Sequence, residues 1–266
     1  MTPANPQTFV IHEECGKAAW QHGFRRVLGE ADGWASFGST TATGLIWLGA
    51  ASDQGPWFLA LDHPGVAGEL DHTNVVDIEG PGVRRYAFPT LSALYNILPR
   101  VYQLAVSLPD APLREFQRQT ASLPRTTDAE RLVVQRIGQD IFRESLMEYW
   151  QSRCPLTGIT DPALLRASHI IPWSECEGDS QRLDVYNGLL LSALWDAAFD
   201  RYLVTFNDDG EPVYSKRIST QARSLLIWQE PLNLTELHRA NLVVHRLHFT
   251  EVEKSSSATD HPPLQQ

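Results

Sequence analysis

The chain of 266 residues predicts an α+β fold. Short apolar runs bounded by Gly, Asp and Pro, such as Gly44–Gly49 and Pro56–Leu61, are typical of strands. Apolar residues at helical spacing, as in residues 91–107, predict helices elsewhere in the chain. Apolar residues make up 42% of the composition, so the chain can bury the cores of two modest domains or of one large domain.

The first half of the chain predicts a mixed α+β domain over residues 1–120. Its predicted elements are, in order, a helix over 13–28, strand-like sequence from 34 to 61, strands at 74–78 and 83–88, and a helix over 91–107. Prolines at 109, 112 and 124 mark the domain boundary, although residues 113–123 also predict a helix. We assign this domain to target recognition or regulation.

A second domain is predicted over residues 121–250. It begins with a helix from Thr127 to about residue 150, whose first turn has the capping-box spacing Thr127-Asp-Ala-Glu130. Gly138 inside this helix predicts a close packing contact, because glycine costs about 1 kcal/mol relative to alanine there. The later predicted elements are strands at 203–206 and 212–215 and helices at 219–226 and 234–240. The polar residues 251–266 predict a disordered tail.

Polar residues with defined spacing follow the long helix. Cys154–Gly158 comes first, His169 lies near the end of a predicted strand, and Asn187 follows a loop. Asp196 and Asp200 are four residues apart on a predicted helix, so both carboxylates lie on one face and can bind one ion together. Taken singly, His169 is more typical of a structural residue, Asn187 of a turn and the aspartates of a solvated helix face.

Together and in this order, these residues resemble the motif of HNH nucleases of the ββα-metal type. The resemblance covers roughly residues 150–206, extends more weakly to about 249, and includes the lead-in helix with its sequence Arg136-Ile-Gly-Gln139. It implies an N-terminal mixed α+β domain followed by a C-terminal HNH (ββα-metal) nuclease domain. It also implies a divalent-metal-dependent DNA endonuclease, of restriction or defence type, that hydrolyses phosphodiester bonds.

The resemblance implies a role for each residue. His169 would be the general base, because a neutral imidazole accepts a proton near pH 7. Asn187 matches the family's middle residue, whose side-chain amide ties the loop together and orients the catalytic histidine. Asp196 and Asp200 would hold the divalent cation. Apart from the resemblance, Arg166 lies three residues before His169 and would either contact substrate phosphate or pair with a surface carboxylate.

Two positions depart from the family pattern. The residue nine after the Asn is usually His and is here Asp196, and the residue before the general base is usually Asp or His and is here Ser168. With Ser168 as a further metal ligand, the site offers oxygen donors, which favour Mg²⁺ or Mn²⁺ over tightly held Zn²⁺ and leave other divalent transition metals open. Mg²⁺ tolerates few protein ligands, because it retains waters and is completed by substrate phosphate.

The cysteines bear on zinc and on location. Cys15, Cys154 and Cys176 are too few for the four-cysteine site that many HNH domains carry, so we expect no structural zinc and a buried, structural Cys154. An odd number of cysteines without a signal peptide favours the reducing cytoplasm. No apolar run approaches the roughly 20 residues that span a bilayer, so no membrane association is expected.

The formal net charge of −10 is unusual for a DNA-binding protein, because phosphate binding depends on cationic side chains. Residues 1–83 hold 3 basic and 10 acidic side chains, residues 84–166 hold 11 and 8, and residues 167–266 hold 8 and 14. Arginines thus concentrate before the motif, either to bind phosphate or as solvated helix faces with local ion pairs. One HNH site cuts one strand, so double-strand cleavage favours a homodimer.

Three functions remain open from the sequence. The first is a DNA endonuclease whose first domain recognises the target. The tryptophans of that domain suit either an aromatic wall around an extruded base or core packing; they are Trp20, Trp34, Trp47 and Trp57. The second is a noncatalytic regulatory or binding protein, in which Ser168 and Asp196 have weakened the metal site. The third is a nuclease specific for RNA or for nucleic-acid structure.

Overall fold

In the computed structural model the chain divides into two units, Met1–Ala111 and Pro112–Gln266. The structure describes residues 2–70 and 74–259, with side chains as far as residue 255. The division falls before the residue-120 boundary taken from the prolines, so the helix predicted at 113–123 lies in the second unit. Helices and antiparallel sheets occur in both units, which confirms the α+β class.

A five-stranded antiparallel sheet is the frame of the first unit. Its strands neighbour one another in chain order: β1 (Arg26–Ala31), β2 (Trp34–Gly38), β3 (Leu45–Ala50), β4 (Trp57–Leu61) and β5 (Arg84–Phe88). The strands predicted between 34 and 61 and at 83–88 are confirmed. The strand predicted at 74–78 is wrong, because that segment contributes only one bridge, between Val75 and Tyr86.

Three helices complete the first unit: α1 (Phe9–Gln21), α2 (Pro64–Glu69) and α3 (Leu91–Ser107). Helices α1 and α3 pack on the sheet and bury apolar side chains such as Ile11 and Leu94. The Thr90 hydroxyl caps α3 by accepting a hydrogen bond from the Ala93 amide, which confirms the predicted start of that helix. The helix predicted over 13–28 is partly wrong, because α1 ends at Gln21 and the chain then enters β1.

The second unit is built on a long helix and a short antiparallel pair of strands. Its elements are α4 (Ala111–Thr120), α5 (Asp128–Tyr149), β6 (Leu165–His169), α6 (Asp179–Arg182), β7 (Gly188–Ser192), α7 (Ala193–Asp200), β8 (Val204–Phe206), β9 (Pro212–Tyr214), α8 (Thr220–Leu225) and α9 (Glu236–Thr259). Strand β6 pairs with β7, and α7 begins directly after β7. This is a ββα arrangement, and it places the predicted site residues on adjacent elements.

Helix α5 packs against the strand pair of β6 and β7. It begins with a capping box, in which the Thr127 hydroxyl accepts from the Glu130 amide and the Glu130 carboxylate accepts from the Thr127 amide. The close contact predicted for Gly138 is confirmed, since a Cβ there would lie 2.7 Å from Cη2 of Trp173. Arg143 fixes the helix to the start of β6 by donating to the carbonyl of Leu165 at 2.8 Å.

The C-terminal segment differs from the prediction. Helix α9 runs from Glu236 to Thr259, whereas a helix was expected only over 234–240 and disorder from residue 251. The expectation of disorder is therefore corrected as far as Thr259, and residues 260–266 lie outside the described part of the chain. The helix is long because it buries Leu242 and His245 against the rest of the unit. No helix among the described residues is long and apolar enough to cross a membrane.

Candidate active site

The strand pair and α7 bring the predicted site residues together. In the antiparallel register His169 of β6 lies opposite Gly188 of β7, so the last residue of one strand faces the first of the other. Asp196 lies in the first turn of α7 and Asp200 at its last position. Ser168, His169 and Asp200 line one cleft of about 310 Å³.

His169 is held by one hydrogen bond and two aromatic rings. Its Nε2 lies 2.9 Å from the carbonyl oxygen of Arg182, and since a carbonyl only accepts, Nε2 carries the proton. The neutral imidazole therefore has Nδ1 as its proton acceptor. Phe142 stacks on the ring with 3.8 Å between centroids, and Trp173 meets it edge to face at 5.4 Å. The tautomer and the plane of the ring are both fixed by these contacts.

The protonation state of His169 follows from its burial. Desolvation lowers the pKa of the imidazole below its usual value, and the Arg182 carbonyl opposes this to a smaller degree. A lowered pKa keeps the ring neutral at pH 7. A neutral histidine with a defined acceptor nitrogen is the form that a general base requires.

Asn187 is fully buried, and its side chain forms hydrogen bonds with the backbone of the loop between β6 and β7. Its Oδ1 accepts from the amide of Ile171 at 2.8 Å, and its Nδ2 donates to the carbonyls of Ile171 and Gln181 at 3.3 and 3.2 Å. Gln181 precedes Arg182, whose carbonyl holds His169. Asn187 thus reaches the catalytic candidate through the loop backbone and makes no hydrogen bond to the imidazole among the contacts of the described residues.

Ser168 and Asp196 form a direct pair. The Ser168 hydroxyl donates to Oδ1 of Asp196 at 2.6 Å, and Ser168 is only 2% exposed. This bond links the end of β6 to the first turn of α7 and fixes the orientation of one carboxylate oxygen. The bond does not use the second oxygen of Asp196 or the lone pairs of the Ser168 hydroxyl oxygen, which are acceptors by their chemistry.

Asp200 lines the cleft and is exposed. Desolvation by the surrounding protein and then repulsion from Asp196 raise the pKa of Asp200 to about 6, while Arg201 opposes the shift. The two carboxylates are therefore close enough to repel each other. A cation near both of them would relieve that repulsion.

The metal site suggested by the sequence is sparse. Within the described residues, no group of three or more His, Cys, Asp or Glu side chains is placed to hold a metal ion. The donors available in one place are the carboxylates of Asp196 and Asp200 and the Ser168 hydroxyl. All are hard oxygen donors, which fit Mg²⁺ or Mn²⁺ and require waters or substrate oxygens to complete the coordination.

A comparison with protein families agrees with this geometry. Residues 154–207 match the model of a family described as HNH endonuclease. The C-terminal half therefore contains an HNH domain. The match begins at Cys154 and covers β6, β7, α7 and β8, so it includes every residue of the cleft named above. No match was found among curated proteins.

The structure places Arg166 on β6 of the HNH domain, with an exposed side chain. Its Nη1 donates to the carbonyls of Ala163 and Leu165 at 2.9 and 3.0 Å. It is not among the residues that line the cleft of His169. Of the two expected partners, a surface carboxylate is not among the hydrogen-bond partners of Arg166 in the described residues, which are backbone carbonyls, and a contact with substrate phosphate stays a prediction.

Sequence reasoning missed three residues around the cleft: Phe142, Tyr202 and His245. Phe142 stacks on His169 from α5, a contact that no local pattern indicates. His245 donates from Nε2 to the carbonyl of Phe199 at 3.2 Å and accepts at Nδ1 from Thr205 at 2.9 Å. Burial lowers the pKa of His245 to about 4, so it is a neutral structural residue with both nitrogens engaged.

Proposed function

We propose that the chain is a Mg²⁺- or Mn²⁺-dependent DNA endonuclease of restriction or defence type. The observation that carries the proposal is the arrangement of His169 in the HNH domain. Its Nε2 is committed to the Arg182 carbonyl, its Nδ1 is left as acceptor, and it lines one cleft with Asp200. Such a cleft suits hydrolysis of a phosphodiester bond by a water that a histidine deprotonates.

In this mechanism His169 accepts the proton of the attacking water at Nδ1. Phe142 and the Arg182 carbonyl keep the ring in place and in the required tautomer. Asp196 and Asp200 would hold the cation, and the Ser168 hydroxyl, which orients Asp196, would add a further oxygen. Such a cation would offset negative charge on the phosphate and on the leaving oxygen. Asn187 keeps the loop that carries Arg182 in its folded position.

In this proposal the two units have different functions. The unit of residues 1–111 recognises the target and the HNH domain cuts, with the exposed Arg166 as a phosphate contact outside the cleft. One HNH site cuts one strand, so double-strand cleavage uses two copies of the chain.

A purified piece of residues 112–266 that folds by circular dichroism should nick DNA without selectivity. If that piece keeps the full chain's substrate preference, the first unit is not the reader.

The test of the activity is cleavage of a panel of duplex, modified, single-stranded and RNA substrates with several divalent ions. We expect DNA cleavage that requires Mg²⁺ or Mn²⁺ and falls by about 10²–10⁴-fold in His169→Ala, because the general base is lost. His12→Ala is the control, since that side chain is 56% exposed and lies in the other unit. Near-normal activity of His169→Ala would remove His169 from the mechanism.

The aspartates are tested by ion binding. Asp196→Ala and Asp200→Ala should each weaken binding of Mg²⁺ or Mn²⁺ in calorimetry, and excess Mn²⁺ should partly rescue cleavage. Asp209→Ala, in an exposed turn of the same unit, is the matched control. Unchanged ion affinity in both aspartate variants would contradict their role as metal ligands.

A second candidate is a regulatory or binding protein that keeps the HNH fold without catalysis. The observation in its favour is that the described residues gather no group of three or more His, Cys, Asp or Glu side chains for a metal. It predicts no ion binding by the wild-type chain in calorimetry and no cleavage of any substrate in the panel. Cleavage of RNA alone would instead support the RNA-specific nuclease.

A further inference from the structure

Tyr202 has an unusual backbone conformation shortly after the end of α7. Helix α7 ends in a Schellman motif, in which the Tyr202 amide donates to the Phe199 carbonyl at 2.9 Å and the Leu203 amide donates to the Ala198 carbonyl at 2.8 Å. In this motif the residue after the cap is left-handed and is usually glycine. Tyr202 adopts that conformation with φ of 53°. A tyrosine is strained there, so its side chain calls for a functional explanation.

The Tyr202 hydroxyl is held at the end of a chain of polar contacts. It lies 3.1 Å from Nδ1 of His248, and Nε2 of His248 lies 3.5 Å from a carboxylate oxygen of Glu175. The rings of Tyr202 and His248 meet edge to face at 5.7 Å. Residues from α9 and from the loop after β6 therefore fix where this hydroxyl lies.

The cleft has few groups that can donate a hydrogen bond to a phosphate. Among the described residues that line it there is no Lys or Arg; two carry hydroxyls, Ser168 and Tyr202, and Trp173 carries an indole N–H. Ser168 donates its proton to Asp196. His169 and His245 have committed their Nε2 protons to backbone carbonyls. The Tyr202 hydroxyl is bonded to a ring nitrogen rather than to a carboxylate, so its proton turns more readily than that of Ser168 to an anionic substrate oxygen.

We propose that the Tyr202 hydroxyl binds a non-bridging oxygen of the substrate phosphate and that His248 and Glu175 position it. The proposal rests on the nuclease function proposed above and adds a substrate contact to it. When phosphate binds, the Tyr202 proton turns from Nδ1 of His248 to the phosphate oxygen. Nε2 of His248 lies against the Glu175 carboxylate, which orients the ring beside the tyrosine oxygen.

Binding of an uncleaved substrate tests this contact directly. The full-length His169→Ala protein is titrated with a labelled DNA duplex and Mg²⁺, with fluorescence anisotropy as the readout. Adding Tyr202→Phe should raise Kd about tenfold, because it removes one hydrogen bond to a charged oxygen and keeps the ring. Adding Glu175→Gln should raise Kd by a smaller factor. Tyr214→Phe is the matched control, since that hydroxyl bonds the Leu226 carbonyl and Tyr214 does not line the cleft.

A kinetic comparison separates this role from a structural one. With His169 intact, Tyr202→Phe should raise KM about tenfold and change kcat by less than about threefold, because the contact is made to the ground state as well as to the transition state. A Kd for the Tyr202→Phe protein equal to that of its parent would overturn the inference. If the wild-type chain cleaves nothing in the substrate panel, the proposed function fails instead, whatever the binding result.

Discussion

A single added methyl group at Gly188 should disturb His169, the proposed general base, without touching it. Gly188 has φ of −148° and ψ of 151°, an extended backbone that alanine adopts readily. An alanine would nevertheless overlap with its neighbours, because a Cβ at this position would lie 2.5 Å from Cζ of Phe142 and 2.8 Å from Cδ1 of Leu146. Both side chains are fully buried, so neither can rotate into solvent. Phe142 is also the ring that stacks on His169.

The expected magnitude follows from two opposing effects. Overpacking a buried site costs about 1–3 kcal/mol. Replacing glycine by alanine in an allowed conformation stabilises by about 0.4–1 kcal/mol, because the unfolded chain loses freedom. The overlap should dominate, and the free energy of unfolding of Gly188→Ala should fall by about 2 kcal/mol. Cleavage should fall as well, because the displaced Phe142 ring no longer fixes the imidazole plane.

The assay is urea unfolding followed by tryptophan fluorescence, together with kcat on the best substrate. Gly178→Ala is the matched control: it lies in the same unit with φ of −166°, and a Cβ there meets nothing within 4 Å. Its stability should stay within about 0.5 kcal/mol of wild type. Phe142→Leu added to Gly188→Ala should restore stability but not kcat. Equal unfolding midpoints for Gly188→Ala, Gly178→Ala and wild type would refute the steric reasoning.

Three further predictions concern single groups in the second unit. Burial and Asp196 raise the pKa of Asp200 to about 6, so its contribution to stability falls as pH rises from about 4 to 6. At pH 7 without divalent ions, the free energy of unfolding of Asp200→Asn should therefore exceed that of wild type by about 1 kcal/mol after solvent screening. Its melting temperature should be higher accordingly. Adding Mg²⁺ should stabilise the wild type more than Asp200→Asn. Asn187→Ala should lose about 3 kcal/mol in urea unfolding, because it leaves the buried amide of Ile171 without its acceptor. Burial lowers the pKa of His238 and His245 to about 4. The contribution of these two buried imidazoles to the free energy of unfolding is fully present above about pH 6.5 and is lost as pH falls toward 4. Each should lose about 2 kcal/mol between pH 7 and 5. An unchanged urea midpoint at pH 5 would contradict this.

Elements with a strong local signal could be predicted from the sequence. The apolar spacing of α3 and the capping box of α5 lie within single segments, and both helices begin where expected. Strand β1 was missed because all of its residues are exposed, so no alternation of apolar and polar side chains indicates it. Helix α9 was predicted too short, because its polar composition hides the buried stripe of His238, Leu242 and His245.

The order of the site residues was readable from the sequence, but their contacts were not. The spacing of His169, Asn187 and Asp196 indicates a strand, a loop and a helix, and each residue lies on such an element or at its edge. The partners of His169 come from elsewhere in the chain, since Phe142 belongs to α5 and Arg182 to α6. Such contacts depend on how the elements pack, and no local pattern encodes them.

The two departures from the HNH pattern are explained together by one hydrogen bond. Ser168 and Asp196 meet at 2.6 Å, a distance at which one partner must be a donor and the other an acceptor. With an aspartate at both positions, two charges would meet in a buried place, and one carboxyl would be forced to keep its proton. Serine at 168 supplies the donor that an aspartate at 196 requires, so neither residue is well explained without the other. The hydrogen bond fixes one carboxylate oxygen of Asp196 at the end of β6, and in the proposed function this is what gives a site with few protein ligands a defined place for a hard cation.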